Sequence, residues 1–375
     1  MKILYISDSR IPGEKANSIQ VVKTCEAFAK KSCEVTLLVP DRESKRDPEE
    51  VWSYYGVKTP FEIRWLRTLD LRIIRPKEKP SKFGLWFFLS TGTFGMSVIK
   101  FLSKHRDYDV IYTRHEPTVF AIKKISRVKD LPPVVYEAHN YSDSRARLVR
   151  GCDKMVTITR ALADLYSKKT RVPVLVAPDA VDLESFDLGI TKEQARKKLN
   201  LKEKKIVTYT GQPFPWKGVH TLIEAAKDID ATVLLVGGEE RHLKSLRAKA
   251  PHNVGFVGQV PPTRVPLYLA ASDVLVLPNT KDRVSREYTS PLKLFEYMAS
   301  GRPIVASDLP SLREVINDDS AFFFEPENPT SLVEAIKEAL SKEGEKRAKK
   351  AKERVMEYTW DKRVKKIIGF LTALK

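Results

Sequence analysis

The chain has 375 residues and carries 66 Lys and Arg against 48 Asp and Glu, a formal net charge of +18. With 42% hydrophobic and 30% charged residues and no low-complexity tract, overall disorder is excluded and a soluble globular chain of two or three domains, or one large one, is expected. The positive excess predicts attraction to something anionic, whether nucleic acid, an acidic membrane or phosphorylated small molecules, and composition does not choose among them.

Short β-branched runs alternate with helical patterns along nearly the whole chain. That is the sequence form of a parallel sheet covered by helices on both faces, so a doubly wound α/β fold is expected. The opening MKILYISD holds a strand, 2–6, ended by Asp8. It lacks the long apolar stretch and cleavage site of a secretion signal, so a cytoplasmic location is expected. Helix 18–31, with Ser18 as its N-cap, leads to strand 34–39. Further strands are expected at 61–66, 110–113, 134–137, 154–158 and 172–177. The longest apolar segment, 83–99, is interrupted by Ser90, Thr91, Gly92, Thr93, Gly95 and Ser97 and is too short and polar to span a membrane. A polar stretch over 178–200 breaks the pattern. It restarts with strands 205–209, 232–236, 254–257 and 274–277, separated by helices 219–227, 241–248 and 264–271. Two α/β domains follow, 1–185 and 186–360, with an amphipathic helix in the tail, 361–375. Cys25, Cys33 and Cys152 form no C-x-x-C pair and read as buried thiols in a reducing compartment.

Open parallel sheets bind ligands at the carboxyl ends of their strands, where helix N-termini favour anions. Two such domains are expected to hold the chemistry between them. The richest stretch runs from Glu287 to Ser307 as loop, helix, Gly301 stop and strand. Thr289 or Ser290 reads as an N-cap with Pro291 at the first helical position, which leaves the amides of Leu292 and Lys293 to face an anion. Lys293 adds positive charge there. Glu296, three residues on, offers a carboxylate that can accept two hydroxyl hydrogen bonds from a vicinal diol such as a ribose. The loop 211–218, GQPFPWKG, combines Gly211, which permits close backbone approach, with Lys217 beside a helix start. It does not match the P-loop pattern G-x-x-x-x-G-K-[ST]. His115 and His139 each follow a strand, where a histidine can donate a proton or a hydrogen bond near neutral pH, and neither has metal-ligand spacing, so no metal is expected.

These residues resemble the family-four retaining glycosyltransferases of the GT-B fold, over essentially the whole chain. Four stretches carry the resemblance: 178–186, PDAVDLESF; 211–218; 254–258, VGFVG, with 271–278, ASDVLVLP; and 291–307. The resemblance implies two Rossmann-like domains facing a central cleft. It implies a nucleotide-sugar donor, UDP-, GDP- or ADP-linked, bound by the second domain, and a glycan or lipid-linked acceptor bound by the first. It also implies retention at the anomeric carbon, no obligatory metal or other cofactor, and a final helix that crosses back to the first domain. Residue by residue, Glu296 matches the second glutamate of an E-x7-E motif that holds the donor ribose, and Lys217 the lysine on the donor diphosphate. Ser290, Leu292 and Lys293 match the segment that meets diphosphate and sugar, and Gly211 and Gln212 belong to the donor loop. His115 resembles an active-site histidine and His139 a second one on the acceptor side, while the loop 10–18, with Asn17 and Ser18, corresponds to one that closes on the substrates. Three positions depart from the pattern. Tyr288 stands where the first glutamate belongs, with Glu287 adjacent as its candidate catalytic substitute; Gln212 replaces an arginine; Ala16-Asn17-Ser18 replaces a glycine pair.

The charge divides almost evenly, 33 against 23 over residues 1–185 and 33 against 25 over 186–375, but residues 51–150 hold 19 against 9. Arg64, Arg67, Arg72, Arg75, Lys77, Lys79 and Lys82 precede Phe83, Leu85, Trp86, Phe87 and Phe88. Such a cluster over 64–88 is expected to meet an anionic membrane surface, which makes a peripheral membrane protein a further expectation. No nucleic-acid module is present, and nucleic acid is not expected as a partner. The rival readings are a non-catalytic nucleotide-sugar-binding protein and a sugar-nucleotide epimerase of the same fold.

Overall fold

The computed structural model describes residues 1–42, 47–68 and 83–373, with the side chains of 83–90 outside the description. The chain divides into two compact units, Met1–Ala177 with Val364–Lys375, and Pro178–Arg363. The divisions expected from the sequence lie at 185/186 and 360/361. In the structure the junction 178–182 belongs with the second unit: the Asp179 amide donates to Ser290 Oγ at 3.0 Å, and Val181 bridges Thr359. From Val364 onward the final helix, Trp360–Thr372, belongs to the first unit, where Lys154 Nζ donates to the carbonyls of Phe370 and Leu371.

The first unit is built on a seven-stranded sheet of β1 (Lys2–Ile6), β2 (Glu34–Asp41), β3 (Glu62–Arg67), β4 (Val110–Thr113), β5 (Val134–Ala138), β6 (Lys154–Thr157) and β7 (Val174–Val176), in the order β3-β2-β1-β4-β5-β6-β7. The second is built on β8 (Ile206–Thr210), β9 (Thr232–Val236), β10 (Val254–Gly258), β11 (Val274–Leu277), β12 (Ile304–Ser307) and β13 (Phe322–Phe324), in the order β10-β9-β8-β11-β12-β13. Every strand pair is parallel. Each unit is thus a doubly wound α/β sheet, as the alternation predicts.

Most of the strands are largely apolar runs because both faces are covered. Along β11, Val274 and Val276 pack with Leu222 and Ile336 on one face, while Leu275 and Leu277 pack with Leu294, Phe295 and Met298 on the other. Strand order reverses at β1/β4 in the first unit and at β8/β11 in the second. Beyond the carboxyl ends of such a pair the crossovers diverge to opposite faces and leave a crevice.

Two helix starts differ from expectation. The first helix is Ala16–Lys30 with Lys15 at the N-cap, and Ser18, inside it, donates instead to the Arg10 carbonyl at 2.9 Å. The helix Leu292–Ser300 is capped by Pro291, because the Ser290 hydroxyl is taken by the Asp179 amide. β13 was not expected at all: it is three residues long and follows the polar run Asp318-Asp319-Ser320. Cys25, Cys33 and Cys152 are buried free thiols.

Candidate functional site

The second unit gathers Gly211, Gln212, Lys217, Ser290, Leu292, Lys293 and Glu296 around the carboxyl ends of β8 and β11. The Tyr297 hydroxyl accepts from the Thr210 amide at 2.9 Å and lies 3.2 Å from Thr210 Oγ1, which ties the helix Leu292–Ser300 to the end of β8. Lys293 is thereby brought onto Gly211: a Cβ on that glycine would stand 3.1 Å from Lys293 Nζ, and its φ of +110° is one that side-chain-bearing residues rarely adopt. Lys293 Nζ sits 3.7 Å from the centroid of the Tyr209 ring and is buried without a hydrogen-bond partner. Burial pushes its pKa well down, neighbouring Lys217 adds to the fall, and Glu296 opposes it.

Lys217 closes a short 3-10 turn, Pro215–Lys217, and is half-buried. Burial lowers its pKa to about 8, against the pull of Asp282. Half-buried Glu296 is pushed up to about 7 by burial, with Lys293 opposing. Gln212 Oε1 accepts from the Glu239 amide at 3.1 Å, so the residue in the arginine position holds the neighbouring loop. At the head of the helix Leu292–Ser300 the amides of Leu292 and Lys293 have no partner within the helix.

The two loops of this group are pinned together. The Trp216 carbonyl accepts from the Thr280 amide at 3.2 Å and from Ser285 Oγ at 2.8 Å. At Gly218, φ +64°, a Cβ would come 1.7 Å from the Pro278 carbonyl oxygen. Phe214 and Trp216 stack at 4.7 Å, with Trp216 39% exposed. Glu287 lies in a π-helical turn, Val284–Tyr288, and accepts from Arg286 Nη2 at 2.8 Å and Arg283 Nε at 3.0 Å, hydrogen bonds that hold its carboxyl below the usual range. Tyr288, eight residues before Glu296, is buried.

Asn279 was not singled out from the sequence. It follows β11, is 1% exposed, and neither its amide nitrogen nor its oxygen has a hydrogen-bond partner. A polar residue directly after a strand and Pro278 was the available signal. Buried polar groups are nearly always paired, so Asn279 and Lys293 are each exceptions.

In the first unit the candidates gather at β1, β4 and β5. His115 follows β4 and is 4% exposed; its Nδ1 lies 2.8 Å from Thr118 Oγ1, and its Nε2, without a hydrogen-bond partner, is 3.9 Å from Asp8 Oδ2 at the end of β1. His139 follows β5, with Nε2 2.6 Å from Glu137 Oε1. Asn17 is exposed and donates to Ser9 Oγ at 3.1 Å, while Ser18 is buried. Among the described residues no three His, Cys, Asp or Glu side chains group as cation ligands would. No helix among them is long and apolar enough to cross a membrane. Of the basic cluster over 64–88, Arg64 pairs with Glu62 at 2.6 Å and Arg67 is exposed. Arg72, Arg75, Lys77, Lys79 and Lys82, and the side chains of Phe83, Leu85, Trp86, Phe87 and Phe88, lie outside the described residues.

The second unit's group thus holds two lysines, two helix-end amides and a carboxylate. Comparison with known proteins bears on the same region. The family model for glycosyl transferases group 1 matches residues 191–356. Residues 191–356 form a glycosyl transferases group 1 domain. The activity class that goes with the domain is transfer of a sugar from a nucleotide sugar. The chain is 26% identical over 370 residues to spore coat protein SA of Bacillus subtilis, covering 91% of this chain and 90% of that protein. Among solved structures, sucrose-phosphate synthase from Thermosynechococcus elongatus superposes with a TM-score of 0.79 at 19% identity, over 100% of this chain and 98% of that one. Anabaena HepE, solved in complex with UDP-glucose, does so at 0.77 and 16%, over the whole of both chains. At those identities the likeness establishes the GT-B fold.

Proposed function

We propose that the chain moves a sugar from a nucleotide-sugar donor to an acceptor hydroxyl with retention at the anomeric carbon. The observation that carries this reading is the buried, unpartnered ammonium of Lys293 beside Lys217. Two neighbouring cations disfavoured by burial and by each other are completed by a ligand carrying at least two negative charges, and a donor diphosphate is such a ligand. As the bond from the anomeric carbon to the diphosphate breaks, negative charge builds on the departing oxygen. Lys217, Lys293 and the amides of Leu292 and Lys293 are preorganised to stabilise it there. The Glu296 carboxylate accepts the ribose hydroxyls. The acceptor hydroxyl attacks from the face the leaving group vacates, its proton passing to the departing phosphate, so no separate base is needed. His115 and His139, with Asn17 and Ser18, serve the transferred sugar and the acceptor in the first unit. Glu287, engaged by two arginines, is given no step.

UDP-, GDP- and ADP-sugars remain the donor set, and the HepE complex makes UDP-glucose the first probe. The acceptor is a glycan or lipid-linked hydroxyl, the latter served by membrane contact through 64–88. The test is nucleoside diphosphate release by wild type, Glu296→Ala and Lys217→Ala, with the anomeric configuration of the product read by NMR. Release that both substitutions leave unchanged, or an inverted product, contradicts the proposal. Co-sedimentation with anionic vesicles, compared with a charge-neutralised 72–82 variant, tests the membrane part; equal binding by both excludes it.

A further inference from the structure

The proposed reaction leaves the aromatic part of the loop 211–218 without a task. Pro213 and Pro215 bracket Phe214, and each proline fixes its own φ, so GQPFPWKG is a stiff segment. Within it the Lys217 amide donates to the Phe214 carbonyl at 2.8 Å and the Gly218 amide to the Pro215 carbonyl at 3.1 Å. The Trp216 carbonyl accepts from the Thr280 amide and from Thr280 Oγ1, both at 3.2 Å, and from Ser285 Oγ at 2.8 Å. All of this fastening acts on the backbone. The Trp216 side chain stays 39% exposed and lies nearly parallel to the Phe214 ring, with centroids 4.7 Å and planes 14° apart. Half-buried Phe214 makes a T-shaped contact with His242, on the helix Glu240–Arg247, at 5.6 Å and 74°.

Single exposed hydrophobic side chains are common and need no explanation. Trp216 differs because its backbone is tied to the loop after β11 and its ring to a second ring, so it has little freedom left to lose when something settles on it. Phe214 takes one face of the indole. A pyranose turns a face of C–H groups to an aromatic ring while the hydroxyls round its rim stay in water, and one of them can accept from an indole N–H. A nucleobase on the same platform would leave its second apolar face in water, which favours the sugar. The next residue in the turn is Lys217, about 3.8 Å along the backbone. The proposed reaction places Lys217 on the donor diphosphate, so the platform stands beside the place where sugars arrive and leave.

We propose that Trp216, braced by Phe214, is a stacking platform for a pyranose ring, either the sugar of the donor or a residue of a glycan acceptor. The proposal rests on the glycosyl-transfer reading for the source of that ring. Calorimetric titration of wild type, Trp216→Ala and Trp216→Phe with UDP, with UDP-glucose and with maltotriose, cellotriose and mannotriose tests it. The turn is held through backbone atoms, so Trp216→Ala should melt as wild type does. It should bind a sugar-bearing ligand roughly tenfold more weakly, Trp216→Phe should stay within about threefold of wild type, and UDP should bind all three alike. A loss confined to UDP-glucose assigns the ring to the donor sugar, and one confined to an oligosaccharide assigns it to the acceptor. Equal losses for UDP and UDP-glucose would mean that a nucleobase stacks there, and would overturn the proposal. Affinities that Trp216→Ala leaves unchanged for every ligand would overturn it too. The indole N–H resonance of wild-type Trp216, identified by its loss in Trp216→Phe, decides the matter without a variant that might unfold. A resonance in the same place with UDP-glucose as with UDP, and unmoved by all three oligosaccharides, overturns the proposal. Wild type that binds UDP-glucose, with Trp216→Ala binding every ligand equally well, sinks the platform alone. Wild type that binds no nucleotide, with an oligosaccharide lost in Trp216→Ala, keeps the platform and counts against the donor reading.

Discussion

Glu296→Gln separates the stability of the empty site from its use. Burial raises the Glu296 carboxyl from 4.5 to about 7. Below pH 4.5 the group is protonated in both folded and unfolded chains and burial costs nothing. As pH rises from 4.5 to 7 the unfolded chain gives up its proton first, and the folded state loses stability throughout that window. The span, about 2.5 pH units at about 1.36 kcal/mol each, sets an upper limit of about 3 kcal/mol. Water reaches a half-buried side chain, and glutamine withdraws the partner charge of Lys293, so about 1–2 kcal/mol is expected. At pH 8 the variant's second unit should therefore melt roughly 2–6 °C above wild type, and at pH 4.5 the two should coincide. The same change removes a charged acceptor for the ribose hydroxyls, which should weaken UDP-glucose by roughly tenfold to a hundredfold. Scanning calorimetry at pH 4.5, 6 and 8 and matched ionic strength reads the first effect, and titration calorimetry with UDP-glucose the second. A variant less stable than wild type at pH 8, or stabilised equally at pH 4.5 and 8, would show that Glu296 is not a strained buried carboxyl.

Lys217, lowered to about 8 by burial, should make UDP-glucose affinity weaker by up to about tenfold per pH unit above pH 8, since a diphosphate diester has no ionisation of its own there. In Lys217→Met that alkaline limb should vanish and affinity should be at least about tenfold lower at pH 7. Wild-type affinity that stays flat to pH 9.5 would rule this out. Lys293→Met replaces an unpartnered buried ammonium with an apolar chain of similar length, so the ligand-free melting temperature should hold or rise while UDP-glucose no longer raises it. A large fall in melting temperature would mean that the ammonium is structural. Gly218→Ala puts a Cβ 1.7 Å from the Pro278 carbonyl oxygen at a φ of +64°, and should cost roughly 3 kcal/mol or more by urea unfolding. A cost under about 1 kcal/mol would mean that the two loops part easily.

Much of the fold is legible in the sequence because parallel strands buried on both faces are mostly apolar. Lys2–Ile6, Val110–Thr113, Thr232–Val236 and Val274–Leu277 can be read to the residue for that reason. β13 is not legible, since three phenylalanines are too short a run to show a period. The caps at Ser18 and Ser290 misled because cap preference is a local rule, and each hydroxyl found a better partner outside its helix terminus, the Arg10 carbonyl and the Asp179 amide. Lys217, Lys293 and Glu296 can be named from their motifs. The burial that moves their pKa values cannot, because it depends on chains of residues far away along the sequence.

By itself, then, the sequence determined the kind of sheet, the number of halves and the residue types waiting at strand ends, all of which follow from local apolar periodicity and short motifs. Only the tertiary structure decided the strand order that puts β1 beside β4 and β8 beside β11. It alone paired Thr210 with Tyr297 across 87 residues, and Gln20 with Glu137 across 117. Local propensity is blind to such pairs, since it acts through neighbours a few residues apart, whereas strand order is set by how crossover helices pack over the whole sheet. That packing is what leaves Lys293 and Asn279 buried with hydrogen bonds still to make.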